Sequence, residues 1–171
     1  MRSLKLALIA AAATAALSST AFAADLIVDT PITTPAVVDN SFNWDGAYIG
    51  LFATGQTAPS AFGIGADLGV NALMNGLLIG GELEVVALTG PHFSTQGTVK
   101  LGTSINDSAI LYAYSGVGTR TVSSWYVPVG IGAEFKVADN LGLKTEAQYN
   151  FDLTNSADDS MAVKVGLNWH F

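Results

Sequence analysis

The sequence contains no cysteine. That excludes a disulfide framework, a cysteine-bound zinc cluster and a thiol nucleophile. Charge is scarce as well: charged residues make up 12%, against roughly 25% in ordinary soluble proteins. A soluble domain would carry more charge on its surface. Long apolar runs are also missing. Beyond residue 23 no stretch reaches the roughly 18 consecutive apolar residues of a membrane helix, although half of the chain is hydrophobic. Proline occurs five times. High apolar content without charge and without a spanning helix points to a barrel that presents its apolar face to lipid.

Residues 1–23 read as a secretory signal. Arg2 and Lys5 form a positive start, Leu6 to Leu17 an apolar core, and Ala21-Phe22-Ala23 an A-x-A cleavage site, placing the cut before Ala24. The core is too short to span a bilayer. The remainder carries 5 cations and 14 anions, a formal charge of −9. Nucleic-acid partners need a basic patch, so that class is excluded. Residues 24–43 hold Pro31 and Pro35 and show no sustained period. They read as a periplasmic leader, flexible or lying across the barrel mouth.

What is there is alternation. In the last eleven residues Met161, Val163, Val165, Leu167, Trp169 and Phe171 share one face, and Ala162, Lys164, Gly166, Asn168 and His170 the other. Successive side chains of a strand point to opposite sides, so this is a strand with one apolar and one small or polar face. Similar patterns predict strands at about 44–54, 61–72, 77–88, 95–105, 109–119, 124–137, 141–151 and 161–171. Eight is even, as bacterial outer-membrane barrels require. The predicted fold is therefore all-β: an eight-stranded antiparallel up-and-down transmembrane barrel over 44–171, behind a signal peptide and a leader. Tight turns at 73–76, 106–108 and 138–140 face the periplasm. Loops near 55–60, 89–94, 120–123 and 152–160 face outward. Asn75-Gly76 is a strong hairpin signal. Two strands leave their facing open: Tyr48 and Phe52 make the first too aromatic to orient, and in the fifth either Leu111, Ala113 and Val117 or Tyr112 and Tyr114 meet lipid. Pro128 cannot donate to a ladder, which predicts a bulge in the sixth.

Eight strands enclose just enough space for side chains to fill. The apolar face is too bulky for that space, whereas the polar face is rich in glycine, so the polar face lines the lumen. It carries Asp67, Glu82, Glu84, Lys100, Glu134, Lys136, Lys144, Glu146 and Lys164. Hairpin arithmetic sets Glu82 opposite Lys100 and Glu134 opposite Lys144. Opposite charges across strands attract, and in a confined lumen they need a partner. The predicted lumen is sealed by these pairs. A narrow passive channel lined by Glu84, Lys100 and Lys164 is the alternative. Trp44, Trp125, Tyr149, Trp169 and Phe171 lie near strand ends and read as aromatic girdles. His92 and Ser94 in the second outward loop form the pair a lipid-modifying enzyme could use, but no acidic residue lies nearby in sequence. The expectation is no enzyme, no cofactor and no metal. His170 reads as a rim residue. The acidic loop with Asp152, Asp158 and Asp159 could bridge to lipopolysaccharide through divalent cations.

Asn43-Trp44-Asp45-Gly46-Ala47-Tyr48-Ile49-Gly50 resembles the W-x-G-x-Y-x-G opening strand of small alphaproteobacterial outer-membrane barrels. These are the opacity-like or "porin family" proteins, similar in architecture to the OmpA transmembrane domain and OmpX. Val129-Gly130-Ile131-Gly132-Ala133-Glu134-Phe135, Ala138-Asp139-Asn140-Leu141 and Glu146-Ala147-Gln148-Tyr149 resemble that family's later motifs, with Glu-Ala-Gln-Tyr departing from the commoner Glu-Tyr. The resemblance implies an outer-membrane location and a structural or surface-interaction role. It also implies contact with outer-membrane lipids and lipopolysaccharide, and recognition of the closing strand with its terminal Phe171 by the barrel-assembly machinery. A monomer is expected, and no catalytic residue carries over.

Overall fold

The computed structural model describes residues 42–57, 60–90, 92–120, 124–154 and 159–171. Residues 1–41, including the expected signal peptide and most of the leader, lie outside the described residues. So do Pro59, Pro91 and Asp158.

Eight strands follow one another: β1 (Gly46–Thr57), β2 (Ser60–Met74), β3 (Leu77–Leu88), β4 (Phe93–Asn106), β5 (Ala109–Arg120), β6 (Ser124–Ala138), β7 (Leu141–Asp152) and β8 (Ser160–His170). Each pairs antiparallel with its sequence neighbours, and β1 pairs with β8 to close the barrel. Phe171 N donates to the Ala47 carbonyl at 3.0 Å, completing the seam. The expected strands match within three residues at every end. The tight turn after β2 has Asn75 at φ 52° and Gly76 at φ 84°, the left-handed pair that suits the twist of a two-residue hairpin. At the second tight turn, Asn106 Oδ1 accepts from Ser108 N at 2.8 Å. Asx geometry of this kind is why Asn-Asp-Ser reads as a turn.

The alternation sorts side chains as the pleat requires. Ile49, Leu51, Ile64, Leu68, Leu83, Leu101, Ile131, Val165 and Leu167 stand exposed on the outer wall. The charged and amide side chains of the same strands are buried inside. The two open strands resolve alike: Tyr48, Phe52, Tyr112 and Tyr114 point inward and their aliphatic neighbours outward.

Pro128 departs from expectation. No register shift occurs there; the ladder to β5 keeps its register but lacks the pairs between Ser115–Val129 and Gly118–Tyr126. The Ser115 hydroxyl donates to the Pro128 carbonyl at 3.0 Å. A missing N–H needs no inserted residue when the ladder can skip a rung. The register shifts that do occur fall at Ser104/Asn106 and Lys136/Ala138, next to turns.

Candidate functional site

Among the described residues polar side chains concentrate in the lumen, and the pleat puts them there. Asp67 and Glu84 face each other across β2 and β3. Glu146 and Lys164 face each other across β7 and β8. With Glu82, Lys100 and Lys144 they form a central network, all wholly or almost wholly buried. Lys144 Nζ donates to Asp67 Oδ2 at 2.5 Å and to Glu82 Oε2 at 3.3 Å, and lies 3.9 Å from Glu84 Oε1. Lys164 Nζ donates to both Glu84 oxygens at 2.8 and 2.6 Å and lies 3.3 Å from Glu146 Oε2. Lys100 Nζ donates to Glu82 Oε2 at 2.7 Å and lies 3.8 Å from Glu146 Oε1.

These bonds reach across the lumen. Lys144 of β7 meets Asp67 of β2, and Lys164 of β8 meets Glu84 of β3. Buried charge is tolerated only where it is paired and its remaining lone pairs are filled. Phenols do much of that filling. Tyr48 donates to Glu82 Oε2 at 2.7 Å and Tyr112 to Glu146 Oε1 at 2.7 Å. Lys100 sits over the Tyr112 ring at 4.5 Å from its centroid, a favourable cation–π position.

Above the charges lies an amide layer. Gln96 and Gln148 exchange two hydrogen bonds of 3.1 Å, and Tyr126 and Tyr114 donate into the same pair at 3.1 Å. At that end Arg120 Nη2 donates to Ser160 Oγ at 2.7 Å, and Ser124 Oγ to Asp152 Oδ2 at 2.6 Å. Asp152 is therefore buried and engaged, so it is unavailable to a bridging cation as the acidic-loop reading required. Below the charges, Glu134 Oε2 accepts from Asn168 Nδ2 at 3.0 Å, and Glu134 Oε1 lies 2.7 Å from His170 Nε2.

Three expectations are corrected here. Trp44 is not a girdle residue. It is 2% exposed and packs with Phe42, ring centroids 4.2 Å apart, and edge-on to His170 at 5.5 Å. Gly46, at φ +105°, turns the incoming chain so that Trp44 falls across the mouth and not onto the wall. His170 is buried too, stacked on Tyr48 at 5.3 Å, because its place in the pleat points it inward. Lys136 has lumen parity but stands at the rim, partly exposed and 3.9 Å from exposed Asp139. Trp125, Tyr149, Trp169 and Phe171 do stand on the outer wall near its two ends.

The expected pairings fare differently. Glu82 lies opposite Thr98, and Lys100 opposite Gly80, two residues from the predicted register; the long lysine still reaches Glu82. Glu134 does lie opposite Lys144, yet Lys144 turns to Asp67 and Glu134 to Asn168 and His170. Sequence reasoning missed the phenol and amide partners. Their signal was the glycine opposite each large aromatic: Tyr48–Gly69, Phe52–Gly65, Tyr112–Gly132, Tyr114–Gly130 and Tyr126–Gly118 are register pairs.

Asp67, Glu82 and Glu84 offer oxygens within 4.8 Å of one another, a spacing a divalent ion could use. The Lys144 ammonium already stands among them. His92 is exposed in the loop, whereas Ser94 is buried on the lumen face.

No protein-family model matches this chain, and no curated protein matches it in sequence. Solved structures do. De novo designed transmembrane β-barrels align with a TM-score of 0.60 at 12% identity, covering 75% of this chain and 98% of theirs. The outer-membrane protein Ail of Yersinia pestis aligns at 0.54 and 12%, covering 74% and 99%. Neisserial surface protein A aligns at 0.51 and 13%, covering 75% and 98%. The fold is that of a small outer-membrane β-barrel. In outer-membrane barrels of this fold the outer wall faces lipid, and the apolar side chains exposed here are where such a barrel needs them.

Proposed function

We propose that the protein is an integral outer-membrane barrel of the opacity-like type. Its lumen is closed to solutes, and its role is structural support of the envelope together with surface interaction. The observation that carries this reading is the network of Lys100, Lys144 and Lys164. Their ammonium groups, carried by β4, β7 and β8, are buried and paired with carboxylates of β2, β3 and β7. A conducting path needs water and a low barrier to ion entry. Here each ammonium group is already paired with a carboxylate, and amide and aromatic layers lie above and below.

The residues between strands on the loop side number two, four, three and seven. Surface contact therefore rests on the wall, the loop-side rim and short loops. Ail is named an attachment invasion locus protein and the neisserial protein a surface protein; a comparable exposed position fits this chain. No catalytic role is proposed. Export through the residue 1–23 signal, contact with outer-membrane lipids and lipopolysaccharide, delivery by the barrel-assembly machinery through β8, and a monomeric state complete the reading.

Planar-bilayer conductance of the refolded barrel tests the closed lumen, with the unboiled-versus-boiled gel shift as folding control. Folded, inserted protein without discrete current steps is expected. Reproducible steps that change in Lys100→Glu would make the protein a channel instead.

A further inference from the structure

Asp67 of β2 and Asn168 of β8 are both register partners of Gly50 in β1. Gly50 has no side chain, so its two neighbours converge in front of it. Asp67 Oδ1 and Asn168 Oδ1 both stand against the position a Gly50 Cβ would take. Both residues are at least 97% buried, and neither oxygen has a hydrogen-bond partner. Two adjoining acceptors without a donor are unfavourable in a low-dielectric interior. The Asn168 amide is not free to turn and supply one, because its Nδ2 already donates to Glu134 Oε2.

The central network is also short of positive charge. Four carboxylates, Asp67, Glu82, Glu84 and Glu146, face three ammonium groups. The charged groups around Asp67 are Lys144 from β7, Lys100 from β4, and Glu82 and Glu84 from β3. Beside it, β1 contributes Gly50 and the Tyr48 hydroxyl, which is spent on Glu82, and β8 contributes the neutral Asn168.

We propose that Asp67 and Asn168 form a proton-binding site in the lumen. Asp67 is held as the neutral acid, its Oδ1–H donating to Asn168 Oδ1, while Oδ2 accepts from Lys144 Nζ at 2.5 Å. One hydrogen then fills both orphan oxygens and brings the central network to three cations against three anions. No other single proton position achieves both without turning the Asn168 amide.

The test is infrared spectroscopy of the refolded wild-type barrel at neutral pH, unlabelled and with carboxyl-13C aspartate. A deuterium-sensitive carbonyl stretch of a protonated carboxylic acid is expected, shifted by aspartate labelling and lost in Asp67→Asn. No such band, or one shifted by labelled glutamate instead, overturns the proposal; a band lost in Glu134→Gln but kept in Asp67→Asn would place the proton on Glu134. Unfolding in urea provides a second readout. An asparagine at 67 keeps both bonds, with Nδ2 donating to Asn168 and Oδ1 accepting from Lys144, so its midpoint equals that of wild type. Glu134→Gln removes an anion bonded by Asn168 and His170 and lowers the midpoint. A lowered midpoint or failed folding in Asp67→Asn would mean that Lys144 needs a charged partner there, against the proposal.

Discussion

At the scale of single residues, Lys144 is the most consequential side chain in the lumen. It is 0% exposed and bonds Asp67 and Glu82 together. Removing one partner of a buried ion pair leaves the other charge uncompensated and costs about 3–5 kcal/mol. Lys144→Met is therefore expected to lower the urea unfolding midpoint of the detergent-refolded barrel by an amount of that order. Lys136→Met removes a partly exposed rim lysine 3.9 Å from an exposed aspartate, a kind of pair worth about 0–1 kcal/mol. Equal midpoints for the two variants would contradict the account of the network. Glu134 shows why residue pairs are hard to assign from register alone. It stands directly opposite Lys144, but a lysine stem can swing to several carboxylates, and Asp67 and Glu82 hold it.

At the scale of strands, the recurring device is an aromatic laid over a cross-strand glycine. Five such register pairs line the lumen. Each glycine makes room for a ring that a larger residue would displace. A Cβ on Gly132 would overlap the Tyr112 ring. Gly132→Val is then expected to cost about 1–3 kcal/mol by overpacking and to break the Tyr112–Glu146 bond. The control Ala133→Val, next along the same strand but on the outer wall, should leave the midpoint nearly unchanged. The same device explains which strands could be oriented early. β8 alternates apolar and polar side chains, so its facing was legible at once. β1 and β5 carry aromatics on one face and aliphatics on the other, so both faces are apolar, and only the glycines of β2 and β6 across the ladder decide which enters the lumen.

At the scale of the whole molecule, the barrel is inverted relative to a soluble protein: charge inside, aliphatic side chains outside. Leu51 is 69% exposed midway along the outer wall, opposite Leu167 of β8. Leu51→Arg is expected to cost about 2–4 kcal/mol in liposomes, whereas Trp125→Arg near the rim should cost about 0–1 kcal/mol. Unfolding titrations in lipid vesicles compare the two, and equal costs would argue against a bilayer centred on that wall. Much of this architecture was already legible in the sequence. Strand number, turn positions, the facing of six of the eight strands and the charged lumen follow from turn residues and a period of two, which need no knowledge of distant contacts. The tertiary structure alone decided who pairs with whom. Trp44 left the expected girdle because one left-handed glycine redirects the chain over the mouth, and Lys144 left its cross-strand neighbour because the lumen is narrow enough to offer better carboxylates from the far wall. Alternation is a local property of the strand, whereas partner choice depends on closure, which brings β2 and β7 within reach of one another.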